Sequence, residues 1–106
     1  MFTVSKSRAE RELEEFDVVF SALAHEARRR VLVVLLSRHG EMTAGQIVER
    51  FSCSWPTMTR HLQILEEAEL ISVEKIGRER HYILDSQKLR QVVGGWLNWF
   101  EEEKGL

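Results

Sequence analysis

Cysteine and proline each occur once in this chain, at Cys53 and Pro56, and tyrosine once, at Tyr82. A single cysteine excludes an internal disulfide and a cysteine-rich zinc site, and it suits a reducing compartment. Glycine is sparse too, with six in 106 residues, and none of them forms a phosphate-cradling loop. The longest apolar run, Val31 to Leu36, falls far short of the roughly 20 residues of a membrane span. No charged-then-apolar leader opens the chain, so a cytoplasmic protein with no membrane partner is expected. The four histidines, His25, His39, His61 and His81, are scattered without the convergence that a transition metal needs, so neither a metal nor a cofactor is expected. No serine–histidine–acid or cysteine–histidine set can be built from spacing, and no catalytic role is expected.

An excess of positive charge is missing as well. The formal net charge of -2 argues mildly against nucleic-acid binding, because phosphate contacts need local cations. The distribution says more than the sum. Acids gather at the two ends (Glu10, Glu12, Glu14, Glu15, Asp17; Glu101, Glu102, Glu103), whereas Arg28, Arg29, Arg30 and then Lys75, Arg78, Arg80, Lys88, Arg90 lie between them. Three adjacent arginines cannot all face one way on a helix, so at most one or two of the first group are expected to reach a nucleic-acid backbone.

What is present fits one compact domain. A hydrophobic fraction of 43% with 30% charged residues is that of a globular chain, and 106 residues leave room for a single core. Residues 1–8 lack periodicity and read as a flexible tail, with the domain over 9–106. From Ala9 the positions Leu13, Phe16, Phe20 and Leu23 trace a helical stripe, with Val19 beside it. The stripe either packs within its own subunit or contacts a second one. A second helix opens at His25–Ala27 and runs to about His39, burying Val31, Leu32, Leu35 and Leu36, with Gly40 as its left-handed stop. Thr43 and Gln46 form a capping box for a third helix, Ala44 to Phe51, that turns Ile47, Val48 and Phe51 inward.

After a short connection comes the stretch around which the rest is organised, SWPTMTRHLQILEEAEL (Ser54 to Leu70). Ser54 caps it, and Pro56 is tolerated in a first turn. Met58, Leu62 and Leu65 mark its buried side. The opposite side carries Thr57, Arg60 and Gln63, with Thr59 at its edge, the residue types that read base edges and phosphates. Two short helices joined by a tight turn, the second with an outward polar face, make a helix-turn-helix. His61 is either a hydrogen-bonding residue behind this helix or a phosphate contact. Trp55 either packs on a sugar or thymine methyl or staples the helix start to its own subunit. Cys53 reads as a packed thiol, since one cysteine has no resolving partner in its own chain.

Beyond Leu70 the period changes from helical to alternating. Ile71, Val73 and Lys75, a turn at Ile76–Glu79, and Arg80 to Leu84 describe a basic β-hairpin. Placed after such a helix it reads as a wing, with Arg78 at the tip and Lys75 and Arg80 within reach of phosphates. Asp85 or Ser86 caps a last helix bearing Leu89, Val92, Val93, Trp96, Trp99 and Phe100, too much apolar surface for a small subunit to leave in water. Covering it with the first helix and with the same helices of a second copy is the economical solution. Gly94 and Gly95 in its interior suggest a kink or a close helix approach at a two-fold axis. The expected fold is therefore mainly α with a small β-hairpin, a winged helix-turn-helix of order α-α-α-α-β-β-α.

ALAHEARRRVLVVLL (Ala22 to Leu36) and SWPTMTRHLQILEEAELI (Ser54 to Ile71) resemble the helix-two and recognition-helix signatures of the ArsR-type winged-helix repressors, over about Phe16 to Leu84. The resemblance implies a homodimer built from the first and last helices (9–24 and 86–104), binding to an inverted-repeat operator in double-stranded DNA, and repression of transcription. Under it the DNA-binding residues are Ser54, Trp55, Pro56, Thr57, Thr59, Arg60, His61, Gln63, Lys75, Arg78 and Arg80. The dimer residues are Leu13, Phe16, Val19, Phe20, Leu89, Val92, Val93, Trp96, Trp99 and Phe100. The chain departs from the family in three respects. The metal-sensing cysteine pair beside the third helix and the histidine ligands of the last helix are absent. Glu69 stands where a helix-ending glycine is usual, which implies a different approach to the wing, and His25 stands where aspartate is common. A protein-interaction module on the same scaffold, or a sensor of a small-molecule effector or of redox state, remains the alternative at this point.

Overall fold

The computed structural model describes residues 6–101. Its elements follow the expected order with one addition: α1 (Arg8–Leu23), α2 (Glu26–Ser37), β1 (Glu41–Thr43), α3 (Ala44–Val48), α4 (Trp55–Glu67), β2 (Ile71–Ile76), β3 (Glu79–Leu84) and α5 (Ser86–Asn98). Side-chain caps start most of the helices. Ser7 accepts from the Glu10 amide (3.1 Å), so the ordered chain begins before residue 9, and residues 1–5 of the expected tail lie outside the described residues. Thr43 and Gln46 close the reciprocal capping box on α3 (3.2 and 3.0 Å), and Asp85 caps α5 through the Lys88 amide (2.9 Å). α3 stops at Val48 rather than Phe51, its last residues passing into a looser turn. The last helix, expected to reach 104, ends at Asn98, and 102–104 lie outside the described residues.

α2 and α4 end alike. The Gly40 amide bonds the Leu35 carbonyl (2.8 Å) and the His39 amide that of Leu36 (3.2 Å); Leu70 and Glu69 repeat the pattern on Leu65 (3.1 Å) and Glu66 (2.9 Å). This is the Schellman closure, and it requires a left-handed residue just past the helix. That residue is His39 in the first case and Glu69 in the second, each with φ 62°, with Gly40 (φ 87°) following His39. The glycine expected to stop α2 is thus one place beyond the residue that does so, and Glu69 takes the left-handed conformation for which glycine is the usual choice. Leu70, fully buried against the core with Leu65, is the apolar contact that holds the second turn in place.

The addition is β1, which joins the hairpin as an edge strand, giving an antiparallel sheet of order β1-β3-β2 with Met42 opposite Tyr82. The hairpin turns on two residues, since Ile76 pairs with Glu79. Gly77 has φ 64° and Arg78 does not enter the positive region, the pattern of a type II′ turn, whose twist matches its strands. The helices pack over one face of the sheet. Phe16, Val19 and Ala22 of α1, Val31, Leu32 and Leu35 of α2, and Met58, Leu62 and Leu65 of α4 meet Ile71 and Tyr82 in one core. Leu36 is not part of it: one residue past Leu35, it rotates off the stripe formed by 31, 32 and 35 and stays exposed.

Candidate nucleic-acid interface

The first turn of α4 is set by its cap. Ser54 Oγ accepts from the Thr57 amide (3.3 Å) and donates to Thr57 Oγ1 (3.1 Å), while Pro56 occupies a position whose amide would have had no partner in the helix. Met58, Leu62 and Leu65 hold the helix from behind. Pro56, Thr57, Thr59, Arg60 and Gln63 are all exposed on the other side, and acids enter only at Glu66 and Glu67, so charge repulsive to phosphate is confined to the far end. Trp55 is 54% exposed, outside the core cluster and without a ring–ring contact among the described residues.

His61, expected among the DNA-facing residues, is turned inward and only 8% exposed. Arg28 of α2 donates to its Nδ1 (3.3 Å), and the His25 ring stands 4.5 Å away. A guanidinium only donates, so Nδ1 is the unprotonated nitrogen of a neutral ring. Burial first, then the neighbouring His25 and Arg28 charges, push the His61 pKa below its ordinary value. The signal was present in the sequence: 58, 61, 62 and 65 complete one helical stripe, and His61 lies on it.

The arginine triplet serves the fold. Arg28 also bonds the Ala22 carbonyl (2.7 Å) and that of Ser21 (3.3 Å), Arg29 bonds those of Leu23 (2.8 Å) and Ala24 (3.2 Å), and Arg30 pairs with Glu26 (2.6 Å). Two guanidinium groups from α2 thereby neutralise the negative end of α1, which has no basic residue in its own last turn. Lys88 is likewise occupied, by Glu15 (3.1 Å) and Glu69 (3.5 Å), and the hydrogen bond to Glu15 raises its pKa. His25 caps α2, its Nδ1 accepting from the Ala27 amide (3.2 Å), the task an aspartate would perform there.

The wing is different. Lys75 and Arg80 sit directly opposite one another across the hairpin, both exposed, and Arg78 is at its tip. Among the described residues no carboxylate pairs with these three or with Arg60. Like charges directly opposed in a sheet destabilise it, and no carboxylate among the described residues offsets this pair. Lys75 and Arg80 continue the line Ile71–Leu84 and Val73–Tyr82, the face of the sheet that packs on the helices, carried past the end of the core.

The residues expected at a subunit contact divide. Phe16, Val19 and Val92 are buried in the core of one subunit, where α1 packs on α5 and α2, and are not free for a second copy. Phe20, Leu89 and Val93 are half-buried; Leu13, Trp96, Trp99 and Phe100 are exposed. The aromatic rings form edge-on pairs across α1 and α5, Phe16–Trp99 at 6.4 Å and Phe20–Trp96 at 5.1 Å, with Phe100 against Trp96 at 5.0 Å. α5 runs unbroken through its glycines; a Cβ on Gly95 would meet Phe16 at 3.8 Å, and one on Gly94 would meet nothing within 4 Å. Cys53 is half-buried against the core. No helix of the described residues is long and apolar enough to cross a membrane, and among them no group of three histidine, cysteine or acidic side chains converges on a metal-sized site.

Comparison with known proteins agrees with this geometry. A helix-turn-helix domain family model matches residues 23–74. The chain is 37% identical over 84 residues to the transcriptional repressor SdpR of Bacillus subtilis (strain 168), covering 79% of this chain and 91% of that protein. Among solved structures it is similar to an ArsR family transcriptional regulator, with a TM-score of 0.72 at 29% identity over 80% of this chain and 84% of that one. It shares its fold with a homodimeric winged helix-turn-helix DNA-binding domain from Mycobacterium bovis, with a TM-score of 0.71 at 20% identity, covering 99% of this chain and 98% of the other.

Proposed function

The chain belongs to the ArsR-type winged helix-turn-helix family of DNA-binding transcriptional regulators, which are not enzymes, and from that premise we propose that it is a homodimeric repressor of an inverted-repeat operator. It acts in the cytoplasm and blocks transcription by occupying promoter DNA. α4 enters the major groove by its N-terminal half, offering Ser54, Trp55, Pro56, Thr57, Thr59, Arg60 and Gln63, and the wing reaches the flanking backbone with Lys75, Arg78 and Arg80. The observation that carries this reading is the opposed, unpaired Lys75–Arg80 couple beside a helix whose exposed side chains from Thr57 to Gln63 are hydrogen-bonding groups and whose acids come only at its far end, Glu66 and Glu67. α1 and α5 supply the contact with the second copy through Leu13, Trp96, Trp99 and Phe100, supported by Phe20, Leu89 and Val93. Such a pairing places two recognition helices roughly 34 Å apart, one turn of DNA.

The test is a titration of the DNA upstream of its own gene at two salt concentrations. The wild-type protein shifts this duplex and not an unrelated one, with affinity falling steeply as salt rises. Arg60→Ala weakens the specific complex by about 1 to 3 kcal/mol, as expected for a lost guanine contact, whereas Arg78→Ala weakens all duplexes alike and lowers the salt slope by about one. Equal, salt-independent binding by both variants would overturn the assignment.

A further inference from the structure

The tip of α4 is apolar where the rest of its outer face is polar. Ser54 spends its hydroxyl on the cap, as acceptor from the Thr57 amide and donor to Thr57 Oγ1, and Pro56 has no amide hydrogen to offer. Between them stands an indole that is more than half exposed, lies outside the core cluster, and heads the side of the helix that continues four residues on with Thr59. The face of a large aromatic ring offers more area to bury against a partner than any other side chain of this tip. In the major groove the one apolar feature of a base edge is the C5-methyl group of thymine, the feature a ring face can cover, while the indole's one hydrogen-bonding group, Nε1–H, lies at the ring's edge.

We propose that Trp55 is the specificity residue of the helix tip, selecting thymine at one or two operator positions by packing its indole on the methyl group. This rests on the reading of α4 as a recognition helix. It assigns to one side chain a base preference that Arg60 and Gln63, further along the helix, do not provide. Because the contact is dispersion and burial rather than hydrogen bonding, it discriminates modestly, by roughly fourfold for each methyl group buried.

The experiment uses the full-length protein and its upstream duplex, with each thymine replaced singly by uracil, which removes only the methyl. Wild type loses about fourfold in affinity at one or two positions per half-site and is indifferent elsewhere. Trp55→Ala, checked for an unchanged circular dichroism spectrum, binds the thymine and uracil duplexes equally and keeps the wild-type salt slope. Trp55→Phe retains part of the preference. Tight binding by wild type that ignores every replacement overturns the inference alone and leaves the recognition helix standing, the indole then resting on sugar. Failure of wild type to bind any duplex overturns the reading beneath it and the inference together.

Discussion

At the scale of single residues, two positions hold conformations or charge states that cost free energy. Glu69 sits at φ 62° to close α4, a left-handed position that penalises any side chain with a Cβ by about 1 to 2 kcal/mol. Its carboxylate is exposed and stands 3.5 Å from an ammonium that Glu15 holds more closely, so this ion pair returns little. Glu69→Gly removes the strain and adds some unfolded-state entropy, so a net stabilisation of about 0.5 to 1 kcal/mol is expected, read as a rise of a few degrees in Tm. His61 is the second. Its pKa is lowered in the folded state from the ordinary 6.5, chiefly by burial and then by His25 and Arg28. The unfolded chain therefore binds a proton that the native one resists, and the folded protein loses stability as pH falls below about 6.5, with no such loss above it. Thermal unfolding between pH 8 and pH 5 should show this decline in wild type and a flatter profile in His61→Gln. A profile unchanged by the substitution would place the titration elsewhere.

At the scale of elements, Arg28 ties three helices together, holding the end of α1 by two carbonyls and α4 through His61. Arg28→Ala should cost about 2 to 3 kcal/mol in urea unfolding, and Arg28→Lys should recover less than half, since an ammonium cannot span the three acceptors as a planar fork does. None of this could be read from composition, where the triplet looks like a phosphate-binding cluster; the partners of these arginines are carbonyls, which no side-chain pattern announces. α4 and the wing, by contrast, were legible because their signals are local: a serine cap, a helical stripe, a change to alternation, a glycine at the turn. β1 was not, because three residues are too few to show a period and their partner strand lies some forty residues away. His61 was legible by spacing, and of the two places open for it the structure shows the hydrogen-bonding one behind the helix and not the outward one of the DNA-facing set. The left-handed conformation of Glu69 was not legible for a related reason: the glycine rule describes intrinsic preference, and the burial of Leu65 and Leu70 on either side of the turn outweighs it.

At the scale of the whole molecule, the surface divides by what each part still lacks. The wing and the front of α4 carry cations without counter-charges, whereas the opposite end carries rings without cover: Phe100 is 71% exposed, with Trp99 and Trp96 beside it and Leu13 exposed on the neighbouring helix α1. Intramolecular contacts account for Phe16, Val19 and Val92 and leave these four outward, so the apolar end has the composition of a subunit contact and not of a finished monomer surface. A charge there separates assembly from folding. Phe100→Asp removes no packing from the subunit core, so the helical spectrum should be retained, while light scattering should report one copy instead of two at micromolar concentration. The same variant should lose far more affinity for an intact inverted repeat than for an isolated half-site, because only the paired protein binds both halves at once and gains the effective concentration of the second. If Phe100→Asp remains dimeric and binds the whole operator as wild type does, the aromatic end faces water for some other reason, and the two recognition helices are held in register by a different surface.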